Sequence, residues 1–179
     1  LMGPIVGAHC AGIEAPRIAP SVPPTPIAPK SRLLCSCVYA SAMNPQNPYL
    51  SRLNANGSTD KSCDPGRTGP NGRIRETSVQ PDGRLLIVGD FASVNGVARG
   101  GLARLLPDGA LDDAFLQGWE GAKGGAYTLA LQSDGKVVIG GDLDTFNGSA
   151  RKGIARVNAD GALDESFSPN LEGMARAVY

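Results

Sequence analysis

Short apolar runs separated by polar turns dominate the second half of the chain. The runs Arg84–Val88 and Lys136–Ile139 are continuous and rich in leucine and β-branched residues. Such runs predict strands that are covered on both faces. Each follows an Asp-Gly pair, typical of a tight turn, and is preceded by a weakly alternating segment, Thr77–Gln80 or Thr128–Gln132. The pattern therefore predicts a β-hairpin at each place.

Two further strand-like segments follow each hairpin, after a loop that carries an Asn-Gly pair. The third strands are predicted at Leu102–Leu106 and Ile154–Val157, and the fourth at Ala110–Phe115 and Ala162–Phe167. The chain holds 24 glycines, and only Lys30–Asn44 offers a longer stretch free of Gly and Pro. There a short helix and a strand remain alternatives, and elsewhere the prediction is all β.

The chain repeats itself. Residues 80–115 and 132–167 align without a gap at an offset of 52 positions, with 19 of 36 pairs identical. A degenerate copy, with 11 of 36 pairs identical, lies one period upstream. Four antiparallel strands in a period near 50 residues predict β-propeller-type blades. The predicted fold is therefore all-β, with about three such repeats in an incomplete or open propeller.

The domain organisation follows from the period. A Pro-rich irregular segment spans residues 1–26, a degenerate repeat 27–78, a repeat 79–130, and a third repeat 131–179 that ends with the first strand of another. Three periods are fewer than the four to eight blades that usually close a propeller. We therefore predict a fragment of a longer array, or an arc whose open sheet edges allow self-association.

The recurring residues carry a family resemblance. The pattern Q-x-DG-[RK], then GD, NG-x-AR, [LI]-AR-[LV] and DG-A-L-D-x-x-F, resembles the Delta-60 repeat, a bacterial β-propeller repeat, and Val137–Gly141 is similar to a kelch blade. The resemblance implies a propeller-like protein that is secreted or displayed on the bacterial cell surface. It implies no catalytic residues, so none are assigned.

Charge and composition exclude several function classes. The chain has 17 basic and 17 acidic residues, which argues against a nucleic-acid partner. It has no 18-residue apolar segment, so we predict no membrane span, and Leu1–Ile13 lacks the features of a signal peptide. His9 is the single histidine, which leaves little material for histidine-based catalysis. We predict no cofactor and no catalytic site.

Two metal-related patterns are weak. The four cysteines, Cys10, Cys35, Cys37 and Cys63, lack zinc-site spacing, and they are interpreted either as buried thiols or as including a Cys37–Cys63 disulfide. The acidic residues before Asn147-Gly148 resemble a calcium loop, but the spacing is one residue too long and the recurring Asn-Gly is explained by a turn. No metal site is predicted, and calcium remains the alternative.

Polar residues that recur in every repeat are expected to build the scaffold, by capping turns or pairing across strands within each repeat. They fall in three sets: Asp90 and Asp142; Arg52, Arg104 and Arg156; Asp60, Asp112 and Asp164. Binding residues should lie where the copies differ. The only tryptophan, Trp119, and nearby Lys123 are therefore the candidate ligand-binding residues, for a protein or carbohydrate ligand, with packing of Trp119 over a blade edge as the alternative.

The sequence predicts a non-enzymatic binding or structural repeat module of an exported bacterial protein, with an unknown ligand. The alternative is a propeller enzyme, a hydrolase or lyase, with carboxylates at the blade tops. Asp64, Glu76 and Asp144 do not recur in the repeats and would be its candidates.

Overall fold

A computed structural model describes residues 50, 52, 56, 58, 60, 68–118, 120–169, 171 and 173–179. The segment 1–26, the Lys30–Asn44 range, His9, Asp64, the four cysteines and Trp119 lie outside the described residues. The hypotheses about a helix, thiols or a disulfide therefore concern a part of the chain to which the description does not extend.

The described residues form strands, turns and bends, without any helix. The strands are β1 (Arg73–Val79), β2 (Leu85–Asp90), β3 (Ser93–Val94), β4 (Val97–Ala98), β5 (Leu102–Leu105), β6 (Ala122–Leu131), β7 (Val137–Phe146), β8 (Ser149–Ala150) and β9 (Ile154–Val157). Every paired strand runs antiparallel to its neighbour. The all-β prediction is confirmed.

The second and third repeats have the same topology. In the structure each repeat is counted from its first strand, β1 or β6, which begins earlier than the predicted bounds at residues 79 and 131. In the second repeat the sheet order is β1-β2-β5, with β3 and β4 as a separate hairpin. In the third repeat β7 pairs with β6, β8 and β9 and so combines the roles of β2 and β3. The registers also agree, since Leu85 pairs with Leu105 and Val137 pairs with Val157. The 52-residue offset in sequence is therefore a structural offset as well.

The predicted turns are present and have the expected chemistry. At the first hairpin of the second repeat, the Gly83 N–H donates to the Gln80 carbonyl at 2.9 Å, and the Arg84 N–H donates to the Asp82 carboxylate at 3.0 Å. The Arg84 backbone N–H and side chain both stabilise this carboxylate and lower the pKa of Asp82. The third repeat reproduces the turn at Asp134-Gly135.

The expected fourth strands differ from the structure. Each of these segments contributes a single bridge, Leu105 with Leu111 or Val157 with Leu163, and then turns. The turn follows because the Asp112 carboxylate accepts the Ala114 N–H at 3.2 Å and the Asp112 carbonyl accepts the Phe115 N–H at 3.1 Å. The side-chain cap therefore takes the backbone out of the sheet.

Each sheet has two apolar faces, and strand alternation separates them. We call the face directed towards the next repeat the forward face and the opposite one the backward face. The forward face of the second repeat packs into one core with the backward face of the third. The two faces contribute the following buried residues: Leu86, Val88, Leu102, Phe115 and Leu116 from the second; Ala122, Ala126, Leu129, Val137, Ile139, Leu143, Phe146, Ala155 and Val157 from the third.

The backward face of the second repeat forms a second core. Its buried residues are Ile74, Leu85, Ile87, Phe91, Val94, Ala103 and Leu105, with Leu50 and Leu111 packed against them. Strand β2 is therefore buried on both faces from Leu85 to Gly89, as its continuous apolar sequence predicts. The repeats stack as layers, and no sheet closes on itself within the described residues.

Candidate functional site

An open groove lies where the first strands of successive repeats meet. It has a volume of about 490 Å³ and is lined by Arg75, Tyr127, Met174 and Arg176. Arg75 belongs to β1 and Tyr127 to β6, which occupy the same place in their repeats. Met174 and Arg176 belong to the C-terminal segment, residues 173–179, which has no strand assignment.

Arg75 and Tyr127 each lie at a bulge in a first strand. The pairing of β1 with β2 shifts register between Ile74 and Glu76, and that of β6 with β7 shifts between Ala126 and Thr128. A bulge leaves one residue without a cross-strand partner and changes the direction of its side chain. Both groove residues are therefore placed by the same recurring irregularity of the backbone.

The two bulge residues contact each other across the boundary between repeats. The guanidinium carbon of Arg75 lies 4.4 Å from the centroid of the Tyr127 ring, a cation–π geometry. Arg75 is also held by Asp90, with its Nε at 3.0 and 2.9 Å from the two carboxylate oxygens and its Nη2 at 2.7 Å from Oδ2. This wall of the groove is consequently held by an ion pair and a cation–π contact.

The opposite wall comes from the C-terminal segment. Its backbone is held by two hydrogen bonds, from the Ala175 N–H to the Gly141 carbonyl at 3.1 Å and from the Val178 N–H to the Thr128 hydroxyl at 3.4 Å. The side chains of Met174 and Arg176 are exposed. Arg176 has no ion pair or hydrogen bond among the described residues.

Three of the four groove side chains differ from the residues at equivalent positions. At the position of Arg75 the third repeat has Tyr127, which recurs one period later as Tyr179, and Met174 and Arg176 replace Ala122 and Gly124 of the preceding period. Sequence comparison between copies could have identified these positions as variable. It could not have brought them together, because the groove depends on two bulges and on contacts across a repeat boundary.

Of the two sequence-based ligand residues, the structure describes Lys123, which does not line this groove. Lys123 lies in β6, where its backbone pairs with Thr145, and its side chain is exposed. Trp119 lies outside the described residues. The prediction that these two residues bind a ligand stays a prediction.

The recurring arginine and aspartate form ion pairs within each repeat, as expected for scaffold residues. The Nε–Oδ2 distance is 2.8 Å between Arg104 and Asp112 and 2.9 Å between Arg156 and Asp164. Arg52 pairs with Asp60 at 2.9 Å in the first repeat. The scaffold interpretation is confirmed for Arg52, Arg104 and Arg156 and for Asp60, Asp112 and Asp164. It stays a prediction for Asp142.

Asp164 shows the strongest electrostatic effect of these carboxylates. Hydrogen bonds from Lys136, Ser166 and Arg156 hold its pKa well below the usual range, with Lys136 as the largest cause. The Lys136 Nζ lies 2.8 Å from Oδ2, and the Ser166 hydroxyl donates to Oδ1 at 2.6 Å. The Asp164 carboxylate thus connects three segments of one repeat through hydrogen bonds.

The same arginines also connect one repeat to the next, which the sequence did not reveal. The Arg104 Nη1 donates to the Ala159 carbonyl at 2.7 Å, and the Arg52 Nη1 donates to the Pro107 carbonyl in the equivalent place. Because a backbone carbonyl can accept a hydrogen bond whatever its side chain is, the acceptor cannot be recognised from its residue type. The recurrence of arginine was the available sequence signal for this contact.

A second pair of recurring arginines is buried. Arg99 and Arg151 are 6% and 8% exposed, and each donates through Nη1 to the preceding carbonyl at 2.8 Å. The Arg151 Nη2 also lies 2.8 Å from the Glu165 carboxylate. No role was predicted for these arginines, although the Asn-Gly-x-Ala-Arg string recurs in both repeats.

Of the carboxylates of the enzymatic alternative, the structure describes Glu76 and Asp144. The Glu76 carboxylate accepts the Leu129 N–H at 3.0 Å and so joins two first strands, and Asp144 is exposed on β7. Within the described ranges, no group of three or more His, Cys, Asp or Glu residues is arranged to hold a metal ion.

The residues of the proposed calcium loop also have structural roles. Asn147 and Gly148 have φ values of 49° and 82°, as in a type I′ turn, and join β7 to β8. The Asn147 side-chain oxygen accepts the Gly121 N–H at 3.0 Å, which ties the hairpin to the start of the repeat. Asn95 makes the same bond to Gly69 at 2.8 Å. The turn interpretation of Asn-Gly is confirmed.

Stacked antiparallel sheets joined by recurring polar bridges define a protein of the β-propeller repeat class. Comparison with family models gives the same class: residues 80–115 and 132–167 each match the family described as "domain of unknown function (DUF5122) beta-propeller". These are the two segments that the repeat analysis identified. The match does not carry the name Delta-60, which stays a prediction.

Searches of curated proteins and of solved structures gave no match. No helix among the described residues is long and apolar enough to cross a membrane.

Proposed function

We propose that this chain is a non-enzymatic binding module in which the propeller-type repeats display a groove for an acidic protein or carbohydrate partner. The observation that carries the proposal is that the scaffold and the groove use different sets of side chains. Recurring polar residues make the ion pairs and turn caps of the scaffold, whereas Arg75, Met174 and Arg176 differ from the residues at equivalent positions and converge with Tyr127 on one groove.

The charge of the groove favours an anionic group. Arg75 is balanced by Asp90, while Arg176 has no counter-ion among the described residues, so the lining carries one net positive charge. Tyr127 and exposed Met174 add aromatic and apolar surface beside that charge. A carboxylate attached to a sugar ring or a peptide backbone would use both kinds of contact.

The remaining expectations belong to the same proposal. Trp119 and Lys123 are proposed as a second contact region on the third repeat. The resemblance to Delta-60 repeats supports a secreted or cell-surface bacterial location, and open sheet edges support self-association. The alternative, a hydrolase or lyase, has no arrangement of described carboxylates in its favour.

Titration calorimetry with an oligoglutamate peptide and an oligomeric uronic acid tests the binding proposal. We expect one of the two to bind, and Arg176→Ala to weaken it at least about tenfold, the effect of one lost charge-assisted contact. Lys152→Ala is the matched control, because Lys152 is exposed but does not line the groove. Equal weakening by both substitutions, or no binding of either ligand, would contradict the proposal.

Lys123→Ala tests separately whether the ligand binds at Trp119 and Lys123, the residues predicted from the sequence. A loss with Lys123→Ala and none with Arg176→Ala would move the binding site away from the groove and towards Trp119.

A further inference from the structure

The tripeptide Asn-Gly-Ser occurs twice in the chain, at residues 56–58 and 147–149. Asn-x-Ser is the acceptor pattern for N-linked glycosylation, in which the side-chain nitrogen of asparagine is joined to a sugar. A folded protein is modified at such a pattern only where an enzyme reaches both the asparagine amide and the serine, which favours surface turns. Because the two tripeptides are identical, a difference between them must come from the structure around them.

The first tripeptide lies in a turn whose two ends are fixed. The Asp60 N–H donates to the Arg52 carbonyl at 2.8 Å, and the Arg52 Nε donates to the Asp60 carboxylate at 2.9 Å. Between these ends, Asn56 and Ser58 are both exposed. The two residues that a glycosylating enzyme recognises are therefore held at the surface.

The side chains of Asn56 and Ser58 are also adjacent. The Asn56 Oδ1 accepts the Ser58 N–H at 3.0 Å and the Ser58 hydroxyl at 2.7 Å. Because a backbone N–H can only donate, the atom of the amide that faces Ser58 is its oxygen, and the nitrogen Nδ2 is left out of both bonds. Nδ2 makes no hydrogen bond within the described part of the chain. An enzyme can therefore bind the amide and the hydroxyl together without opening the turn.

The exposure of this turn is a property of its place in the repeat. Asp108 and Asp160 occupy the place of Asn56 in the second and third repeats, and both are exposed. Each carboxylate accepts the N–H of the residue two positions on, at 3.0 and 2.9 Å, as Asn56 does. The second repeat bonds to the repeats on either side of it through Arg52 and Arg104, and its turn is still exposed. A neighbouring repeat thus leaves this turn in contact with solvent.

The second tripeptide has its acceptor nitrogen buried. The Asn147 Oδ1 accepts the Gly121 N–H at 3.0 Å, and the Asn147 N–H donates to the Gly121 carbonyl at 2.9 Å. The Asn147 Nδ2 is buried and has no hydrogen-bond partner among the residues that the structure describes. Ser149 belongs to β8 and pairs with Phe146 of β7. Transfer of a sugar to Asn147 would therefore require this hairpin to open.

We infer that Asn56 is an acceptor site for N-linked glycosylation and that Asn147, in the same tripeptide, is not. The donor is a hexose activated by a diphosphate. The Asn56 Nδ2 forms a bond to C1 of the hexose, and the bond from C1 to the phosphate oxygen breaks. The electron pair of the broken bond leaves with the diphosphate, and Nδ2 loses one proton. The sugar is then carried on a surface turn, where a bulky polar group is tolerated.

Incubation of the 179-residue chain with UDP-glucose and a soluble N-glycosyltransferase that accepts Asn-x-Ser tests the inference. Synthetic peptides of residues 50–60 and 141–153 give the reference rates of the two tripeptides outside the fold. In the folded chain we expect one hexose, added at Asn56 at least about tenfold faster than at Asn147, which reacts only after its two bonds to Gly121 open. Mass spectrometry of the intact chain and of its proteolytic peptides locates the hexose.

Two variants show whether the exposed turn itself is the acceptor. Ser58→Ala removes the hydroxyl and should abolish modification of Asn56, while the turn receives the alanine that the other repeats have at Ala110 and Ala162. Asp108→Asn combined with Ala110→Ser gives the equivalent exposed turn of the second repeat the same tripeptide and should add a second hexose. Circular dichroism shows that each variant keeps the fold.

Three outcomes would overturn the inference. They are a folded chain that gains no hexose while the peptide of residues 50–60 is modified, a folded chain modified equally fast at Asn56 and Asn147, and modification of the Ser58→Ala variant at the wild-type rate. Neither asparagine lines the groove, so the result of the groove titration stands independently.

Discussion

The second and third repeats have nearly the same strands, registers and ion pairs, yet their forward faces differ. The third repeat buries the forward face of the second completely, and the same face of the third is partly exposed. Since the sheets are alike, the difference comes from the neighbour and not from the repeat itself. Each repeat of this protein therefore receives part of its core from the next. The free energy of unfolding is then a sum of contributions from the repeats and from the interfaces between them.

The largest expected difference between the two forward faces is in the stability cost of substituting equivalent apolar residues. Leu102→Ala should lower the free energy of unfolding by about 2–5 kcal/mol, because it opens a cavity in the shared core. Ile154→Ala, at the matching position, should cost only about 1 kcal/mol in the monomer, since Ile154 is already partly exposed. Urea unfolding at low protein concentration measures both, and equal costs would show that the two faces are not different.

Arginine substitutions should give the next largest difference. Arg104→Met should cost about 3 kcal/mol, because the Ala159 carbonyl loses its donor and buried Asp112 keeps a single ion pair, with Arg84 at 3.3 Å. Arg156→Met should cost about 1 kcal/mol or less, because Asp164 keeps Lys136 at 2.8 Å. Urea unfolding is again the measurement. A larger loss for Arg156→Met would contradict the connecting role of Arg104.

The Asn-Gly turns should contribute equally to the stability of the two repeats. Asn95→Ala and Asn147→Ala each remove a side-chain bond to the start of the repeat and place alanine at positive φ, of 52° and 49°. Each should cost about 1–2 kcal/mol. Thermal unfolding followed by circular dichroism measures the two variants. Costs that differ clearly would mean that the repeats are less alike than their backbones indicate.

The smallest expected effect is a change in pH dependence. Because the folded-state pKa of Asp164 is lowered, its contribution to stability is complete above the unfolded-state value of about 3.9 and decreases as the pH falls below it. Asp164→Asn should therefore be less stable than wild type near pH 6, with the difference shrinking towards pH 2. Asp113→Asn, which removes a solvent-exposed carboxylate, is the control. An unchanged difference across this range would exclude the ion pair as its cause.

Much of the fold could be predicted from local signals. Asp-Gly and Asn-Gly turns, the continuous apolar run of β2 and the 52-residue period correspond to the observed hairpins, the doubly buried strand and the stacked repeats. The segment after Leu111 was expected to be a strand, but the Asp112 cap turns it away after one bridge. A side-chain cap competes with strand pairing, and a hydrophobic pattern does not show which of them prevails.

The groove was harder to predict than the fold. Arg75 and Tyr127 occupy equivalent positions, so their variation was visible in the sequence, but bulges depend on how two strands pair. Arg176 joins them only because the C-terminal segment lies along β6 and β7. Contacts to backbone carbonyls, such as that of Arg104, have no partner residue type to search for.

Nuclear Overhauser effects between methyl and backbone protons test the stacking of the repeats most directly. The Leu116 side chain lies against Gly161, and its N–H donates to the Asp160 carbonyl at 2.9 Å. This stacking predicts strong cross-peaks from the Leu116 methyl groups to the Gly161 α protons. Their absence, in a sample that shows the cross-strand peaks of β2 with β5 and of β7 with β9, would contradict it.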